Sequence, residues 1–512
     1  MAGLSVWVVA TLAALSLGLF LLLKIRRRRE GEPPIENGWI PFIGCALEFS
    51  ANPLLFLQTR QKKYGDAFTC KIAGNFITFI TDPFSYSSVI RHGKHLNFQT
   101  IALKISRRVF GHADFTDAKY EISYDEIHQI FSKTLQGISL GPLTSSLMEN
   151  LQFVMLQDKK MSDSGNWTTE SLYAFSYRIM FEAGYLTLFG KNEKAMKHNK
   201  IEKIKAQHAA IQSIMENFKV FDNIFPLLAA GIPILFLKVA KQSRMALAQA
   251  LLHKNLRQND NKSSLIEERM ALFDRSPALD ELNKGRSHTT MLWASQANTL
   301  PAAFWSVYYL LRSPEALKAV KNEIENLLCV TNQKHGDINI PIIFTREQLD
   351  SMTAMGSLIN ESLRLSSASI MLRVATEDFV LTLDGGTKLA IRKGDQIGLY
   401  PQQLHFDPEV YEAPLAFKYD RFVDENGREK TTFYKNGRKL KYYLMPFGSG
   451  TSMCPGRYFA VNEIKQFLAL LLCYYDMELL DATAPIPPLD NSRIGFGILQ
   501  PLHDVQFRYR TK

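Results

Sequence analysis

The chain has 512 residues, 46% of them hydrophobic, with 60 Lys and Arg against 50 Asp and Glu and a formal charge of +10. That is enough apolar material for a large core, in one domain or several. The modest positive excess suits an anionic surface or an acidic protein partner; with no long basic stripe mixed with aromatics, no nucleic-acid partner is expected.

Residues 4 to 23, LSVWVVATLAALSLGLFLLL, carry no charge and are long enough to span a hydrocarbon core as a helix. KIRRRREGEPP follows, and its Lys24 and the arginines at 26 to 29 place the downstream side in the cytoplasm. A cleaved signal peptide would carry its charges before the apolar run and a small-residue cleavage site after it. The reading is therefore a retained anchor over 1–25. A basic, proline-rich linker follows over 26–45, with Pro33, Pro34 and Pro41 opposing helix. The globular body then covers 46–512.

In the body, NFITFITD predicts a strand, and PFSYSSVIRHG a helix starting near Pro83. Residues 120 to 280 read as mostly helical. The apolar segment 223–240, NIFPLLAAGIPILFLKVA, is broken by Pro226 and Pro233. It reads as buried or substrate-lining, with a surface-dipping element near the anchor as the other reading. Residues 288 to 310 predict one long apolar helix, bent or opened by Pro301, with Gln296, Asn298 and Thr299 needing partners or water. Two more helices follow, then β-like runs around Gly385 and Gly386, which suit a hairpin turn. There is no internal repeat and no doubly wound alternation. The fold class is mainly α with a small β region.

The five cysteines, Cys45, Cys70, Cys329, Cys454 and Cys473, are odd in number and lack CxxC spacing. Neither a disulfide framework nor a cysteine-built zinc site is expected. Three weak features stand out. Glu361 and Arg364 share a helical face. The stretch HFDPEVYEAPLAFKYDRF offers Arg421 as a second guanidinium for Glu361, should the chain fold back. In PFGSGTSMCPG, Cys454 sits among glycines just ahead of a helix, whose free N–H groups favour a thiolate. An inert buried thiol, a redox thiol and a metal-bound thiolate all remain open for Cys454 on these grounds.

Together, FxxGxxxCxG, an ExxR about ninety residues earlier and a PxxFxxxRF stretch between them resemble the cytochromes P-450, the haem-thiolate monooxygenases, over essentially the whole chain. Within that family WASQANT, ESLRLSSAS and FKYDRFVDENG are similar to the sterol 7α-hydroxylase group. The resemblance implies the P-450 fold, with haem b held by the Cys454 thiolate, dioxygen as co-substrate, and NADPH used through NADPH-cytochrome P-450 reductase. It implies haem-pocket positions Phe447, Gly448, Gly450, Gly456 and Arg373, a structural triad of Glu361, Arg364 and Arg421, and oxygen activation at Thr299 and Asn298. Sterol contacts fall at Trp293, Ala294, Ala368, Ser369 and Leu372. Lys439, Lys441 and Arg457 offer a basic reductase-docking face or serve solubility alone. The implied activity is 7α-hydroxylation of cholesterol in a single-pass endoplasmic reticulum membrane protein facing the cytosol. Oxysterol 7α- or sterol 12α-hydroxylation, reductase-independent peroxide isomerisation, and a non-enzymatic membrane-tethered haem or lipid carrier stand as alternatives. Two positions depart from the family pattern. Ser452 replaces the basic residue two before the ligand, so propionate pairing must come from elsewhere. Asn298 replaces the acid before the threonine, and an amide is expected there to orient water or grip a hydroxyl.

Overall fold

The computed structural model describes residues 26–40, 42–156, 166–192, 200–334 and 340–512, with scattered positions between 11 and 18. Among the described residues no helix is long and apolar enough to cross a membrane. The expected N-terminal transmembrane helix, and the single-pass membrane placement built on it, are corrected on that finding; most of the run at 4 to 23 lies outside the described residues.

The mainly helical reading of the body holds. The helices that build the site are α1 (Gln99–Phe110), α2 (Leu140–Leu156), α3 (Leu172–Phe189), α4 (Lys200–Ala230), α5 (Glu281–Gln296), α6 (Thr299–Arg312), α7 (Thr353–Ser366) and α8 (Arg457–Tyr474). α6 is buried on every side from Thr299 to Leu311, as an uncharged apolar run requires, and packs against α3, α7 and α8. α1 and α4 cover α5.

A six-stranded sheet flanks this bundle, in the order Ile35–Glu36, Ala67–Ile72, Asn75–Ile80, Gln396–Leu399, Met371–Ala375 and Leu96–Asn97. Arg373 stands opposite Ile397 in its antiparallel register. The strand expected near residue 75 ends at Ile80, and Asp82 caps the turn that leads into the helix Tyr86–Arg91 by accepting from the N–H groups of Phe84 and Ser85. The hairpin Phe379–Thr382 and Lys388–Ile391 turns through Gly385 and Gly386, both at positive φ.

The linker is fastened to the body. Ile35–Glu36 pairs with Ala67–Ile72, and Glu32 is buried between Arg26 and Arg392. Burial raises the carboxyl of Glu32, but Arg392, the N–H of Arg29 and Arg26 outweigh it and bring it down to about 2. Segment 223–240 divides: Phe225 and Leu228 are buried on α4, whereas Leu235, Phe236 and Val239 are exposed beyond it.

The helix expected over 288–310, to be bent or opened by Pro301, is opened into two. α5 ends at Gln296 and α6 begins at Thr299, with Pro301 in its first turn. Without an N–H, Pro301 cannot bond the carbonyl of Ala297, so the break falls ahead of the proline.

Candidate active site

Glu361 and Arg364 lie one turn apart on α7, and the chain folds back to bring Arg421 to them. Glu361 Oε2 accepts from Arg364 Nε at 2.7 Å and Oε1 from Nη2 at 2.9 Å. Arg421 Nε lies 2.9 Å from both oxygens, and the N–H of Lys418 adds a bond at 3.1 Å. All three charged groups are buried. One carboxylate cannot satisfy two guanidiniums, and backbone carbonyls take the remaining donors: His405 and Pro414 from Arg364, Glu412 and Ala416 from Arg421.

Through His405 this cluster reaches the cysteine loop. The His405 carbonyl accepts from Arg364 Nη1 at 2.5 Å, and its Nε2 accepts the N–H of Met445 at 3.1 Å. That bond requires a neutral imidazole protonated at Nδ1. Burial, with the charge of Arg364, pushes the imidazole down to about 3. Tyr411 adds a second tie by donating to the Tyr443 carbonyl at 2.6 Å. Sequence reasoning missed both His405 and Tyr411. They stand in the stretch that supplies Arg421, but no spacing marks them.

From Met445 the chain runs into the loop. The N–H of Cys454 donates to the Phe447 carbonyl at 2.8 Å, and Phe447 is half-buried against the main core. Gly450 has φ +63°, and a Cβ there would stand 2.6 Å from Ile90 Cγ2, so the loop lies flush against the helix Tyr86–Arg91. Gly448 is likewise at positive φ, and Gly456 heads α8 beside the Cys454 sulfur. In the polypeptide alone burial pushes the Cys454 thiol up, against the N–H groups of Gly456 and Arg457 and the charge of Arg457. The N–H groups at the helix start do act in favour of a thiolate, as the sequence implies. Desolvation wins, and a coordinated cation is what would deprotonate this sulfur.

Arg373 arrives at the same loop from the sheet. It donates to the Ser449 carbonyl at 3.3 Å and to Ser452 Oγ, and lies over the Phe98 ring. It is buried, and no carboxylate among the described residues pairs with it. Where Ser452 offers no positive charge, Arg373 brings one.

On the opposite side, the helix break sets the wall. Thr299 is the first residue of α6 and is buried. Asn298 does not point its carbonyl oxygen at a ligand: Oδ1 accepts the N–H of Ile498 at 2.9 Å. The bond engages the amide oxygen alone, so the expectation that this amide orients water or grips a hydroxyl rests on its NH2 group. The C-terminal loop is thereby sewn to the break between α5 and α6, and to the segment after α7 by bonds between Ala368 and both Gly497 and Gly495. Ala294 is exposed although it sits within the central helix pair, so this face of α5 opens onto accessible space. Trp293, Ser369 and Leu372 are partly accessible, and Ala368 is buried.

The chain matches the family model described as Cytochrome P450 over residues 33–507. The chain belongs to the cytochrome P450 family. It is 48% identical to Cytochrome P450 7A1 of Oryctolagus cuniculus over 99% of both chains. It is 47% identical to the Cholesterol 7-alpha-monooxygenase of Cricetulus griseus over 96% of both. Identity to Cytochrome P450 7B1 of Mus musculus is 39%, over 98% of this chain and 95% of that one. Haem-thiolate monooxygenase chemistry is the general property of the P450 family. The residues present fit such a group: an unpaired buried guanidinium suits a propionate, glycines allow close backbone approach, and Cys454 lacks only the cation that would ionise it. His253, Asp274 and Glu281 form the one cluster of three possible metal ligands among the described residues, but Lys284 Nζ already bonds Asp274 at 2.8 Å and Glu281 at 3.2 Å.

Proposed function

We propose that this chain hydroxylates cholesterol at the 7α position. The observation that carries the reading is the buried line of bonds from Glu361 through Arg364 and His405 to Met445, which holds the loop of Cys454 at the head of α8. The substrate comes from the identity to a cholesterol 7-alpha-monooxygenase over nearly the full chain.

In this reading residues 46–512 form the catalytic body behind the 26–45 linker. Cys454 would hold haem b through its thiolate, Phe447 would cover the sulfur side, and Gly448, Gly450 and Gly456 would let the backbone approach the ring. Arg373 would pair with a propionate. Bound haem supplies reductive cleavage of dioxygen: two electrons and two protons are consumed, one oxygen enters the C7–H bond as hydroxyl, and the other leaves as water. Thr299 offers its hydroxyl to hold a proton at the break between α5 and α6. Asn298 fixes the geometry there through Ile498. Trp293, Ala294, Ala368, Ser369 and Leu372 shape an apolar slot, and orientation in that slot sets the position of attack. Electrons come from NADPH through NADPH-cytochrome P-450 reductase. Exposed Lys439 and Lys441 and half-buried Arg457, near the cysteine loop, offer it a basic face.

The test is reconstitution with reductase and NADPH, giving cholesterol and a side-chain oxysterol in competition and identifying products by mass and position. 7α-Hydroxycholesterol should dominate and require NADPH. Turnover of a peroxide without NADPH would mark the isomerase instead. A folded, haem-loaded protein lacking the thiolate-type carbon monoxide spectrum would remove Cys454 from the reading.

A further inference from the structure

The aromatic part of the wall contains a buried ion pair that the steps above do not use. Asp222 on α4 and Arg493 in the C-terminal loop are both buried. Asp222 Oδ2 accepts from Arg493 Nη1, and its Oδ1 accepts the indole N–H of Trp293 at 2.7 Å. Arg493 Nη2 is buried and has no hydrogen-bond partner. Aromatic rings surround the group: Phe225 stacks on Trp293 with centroids 4.0 Å apart, Phe496 meets Phe225 edge-on at 5.2 Å, and Phe110 lies 5.9 Å from Trp293.

A buried ion pair is a poor source of net stability, and a buried donor left unmade is a cost. Both features are better explained by a ligand that completes the set. The node joins α4, α5 and the C-terminal loop. Two residues beyond Arg493, Gly495 bonds Ala368, next to Ser369. Trp293 and Phe496 remain partly accessible. The charge of Arg493 is already balanced by Asp222, so a second anion would be repelled by that carboxylate, whereas a neutral oxygen acceptor would not. Cholesterol is apolar except for one hydroxyl.

We infer that Arg493 Nη2 donates to the single hydroxyl oxygen of the sterol, with Asp222 holding both the guanidinium and the Trp293 indole in place. Arg493 is then the residue that fixes the polar end of the substrate, and through it the carbon presented for oxidation. This rests on the sterol reading above.

The test uses haem-loaded full-length protein, titrated spectroscopically with cholesterol and with cholest-5-ene, which lacks the hydroxyl. The wild type should bind cholesterol roughly tenfold to a hundredfold more tightly, the range for one hydrogen bond to a charged donor. In the double variant Asp222→Asn with Arg493→Gln, which removes both charges together, the ratio should fall towards one and products should scatter over neighbouring carbons. Arg493→Lys keeps a charge for Asp222 and serves as a second variant with the same expectation. A merely structural clamp would change stability and leave the ratio intact. Equal wild-type affinity for the two ligands, or a wild-type ratio in either folded variant, overturns the inference alone. A haem-loaded wild type that binds neither ligand overturns the sterol reading, and the inference with it.

Discussion

Asn298 and Ile498 are joined by a bond from the Ile498 N–H to the Asn298 amide oxygen at 2.9 Å, at the break between α5 and α6. Gly497, beside it at φ +133°, comes so close that a Cβ would stand 2.1 Å from the same oxygen. The residue that departs from the family's acid is therefore part of a seam between the central helix and the C-terminal loop.

Asn298→Leu removes the acceptor and leaves a part-buried N–H unpaired. It should cost about 1–3 kcal/mol of stability and loosen substrate binding. Asn298→Asp keeps an acceptor and should stay near wild-type stability. Denaturant unfolding of both variants checks the difference; equal losses would mean that the bond does not matter.

Glu361→Gln leaves two buried guanidiniums without a carboxylate. Losing one partner of a buried pair costs about 3–5 kcal/mol, and the consequence should appear at the cysteine loop, as poor haem loading. Haem content per folded protein measures it.

Arg373→Leu should act with opposite signs on two states. In the haem-free chain it removes a buried charge that has no anionic partner, so stability should hold or rise. In the loaded protein it removes a propionate partner, and haem loss should accelerate roughly tenfold or more. Transfer of haem to an acceptor protein, measured beside thermal unfolding, separates the two.

His405 makes stability depend on pH. Its imidazole titrates at about 3 in the folded chain and near 6.5 once unfolded. Between those values the unfolded state holds the extra proton, so stability rises with pH across the window and is lost as pH falls from neutrality. The contribution is at most about 1.4 kcal/mol per pH unit. His405→Gln keeps an acceptor for Met445 but no longer titrates, and the slope between pH 4 and 6 should flatten. An unchanged slope would assign the acid sensitivity to other groups.

Much of the site was readable before any coordinates, because its parts are local. Glu361 and Arg364 meet through one helical turn, and the loop before α8 shows its glycines directly. Other features needed their surroundings. The helix start at Cys454 does direct N–H groups at the sulfur, but how far burial opposes them depends on how the fold packs around the loop. The helix over 288–310 opens beside Pro301, as its sequence implies, but the place of the break is a matter of the fold. The apolar run at 4 to 23 has the length of a span, yet no described helix provides one.

By itself the sequence determined the helical character of the body, the pairing of Glu361 with Arg364, and the placing of one cysteine at a glycine-rich helix start. These follow from periodicity, spacing and backbone freedom, which act over a few residues. Only the tertiary structure decided that His405 links the charged cluster to the cysteine loop, that Arg373 supplies the charge missing at Ser452, and that Asn298 is bound to Ile498. Those pairs lie 40, 79 and 200 residues apart in the chain. A hydrogen bond needs its atoms within about 3 Å, and no pattern along the sequence records which distant groups the packing of the core brings that close.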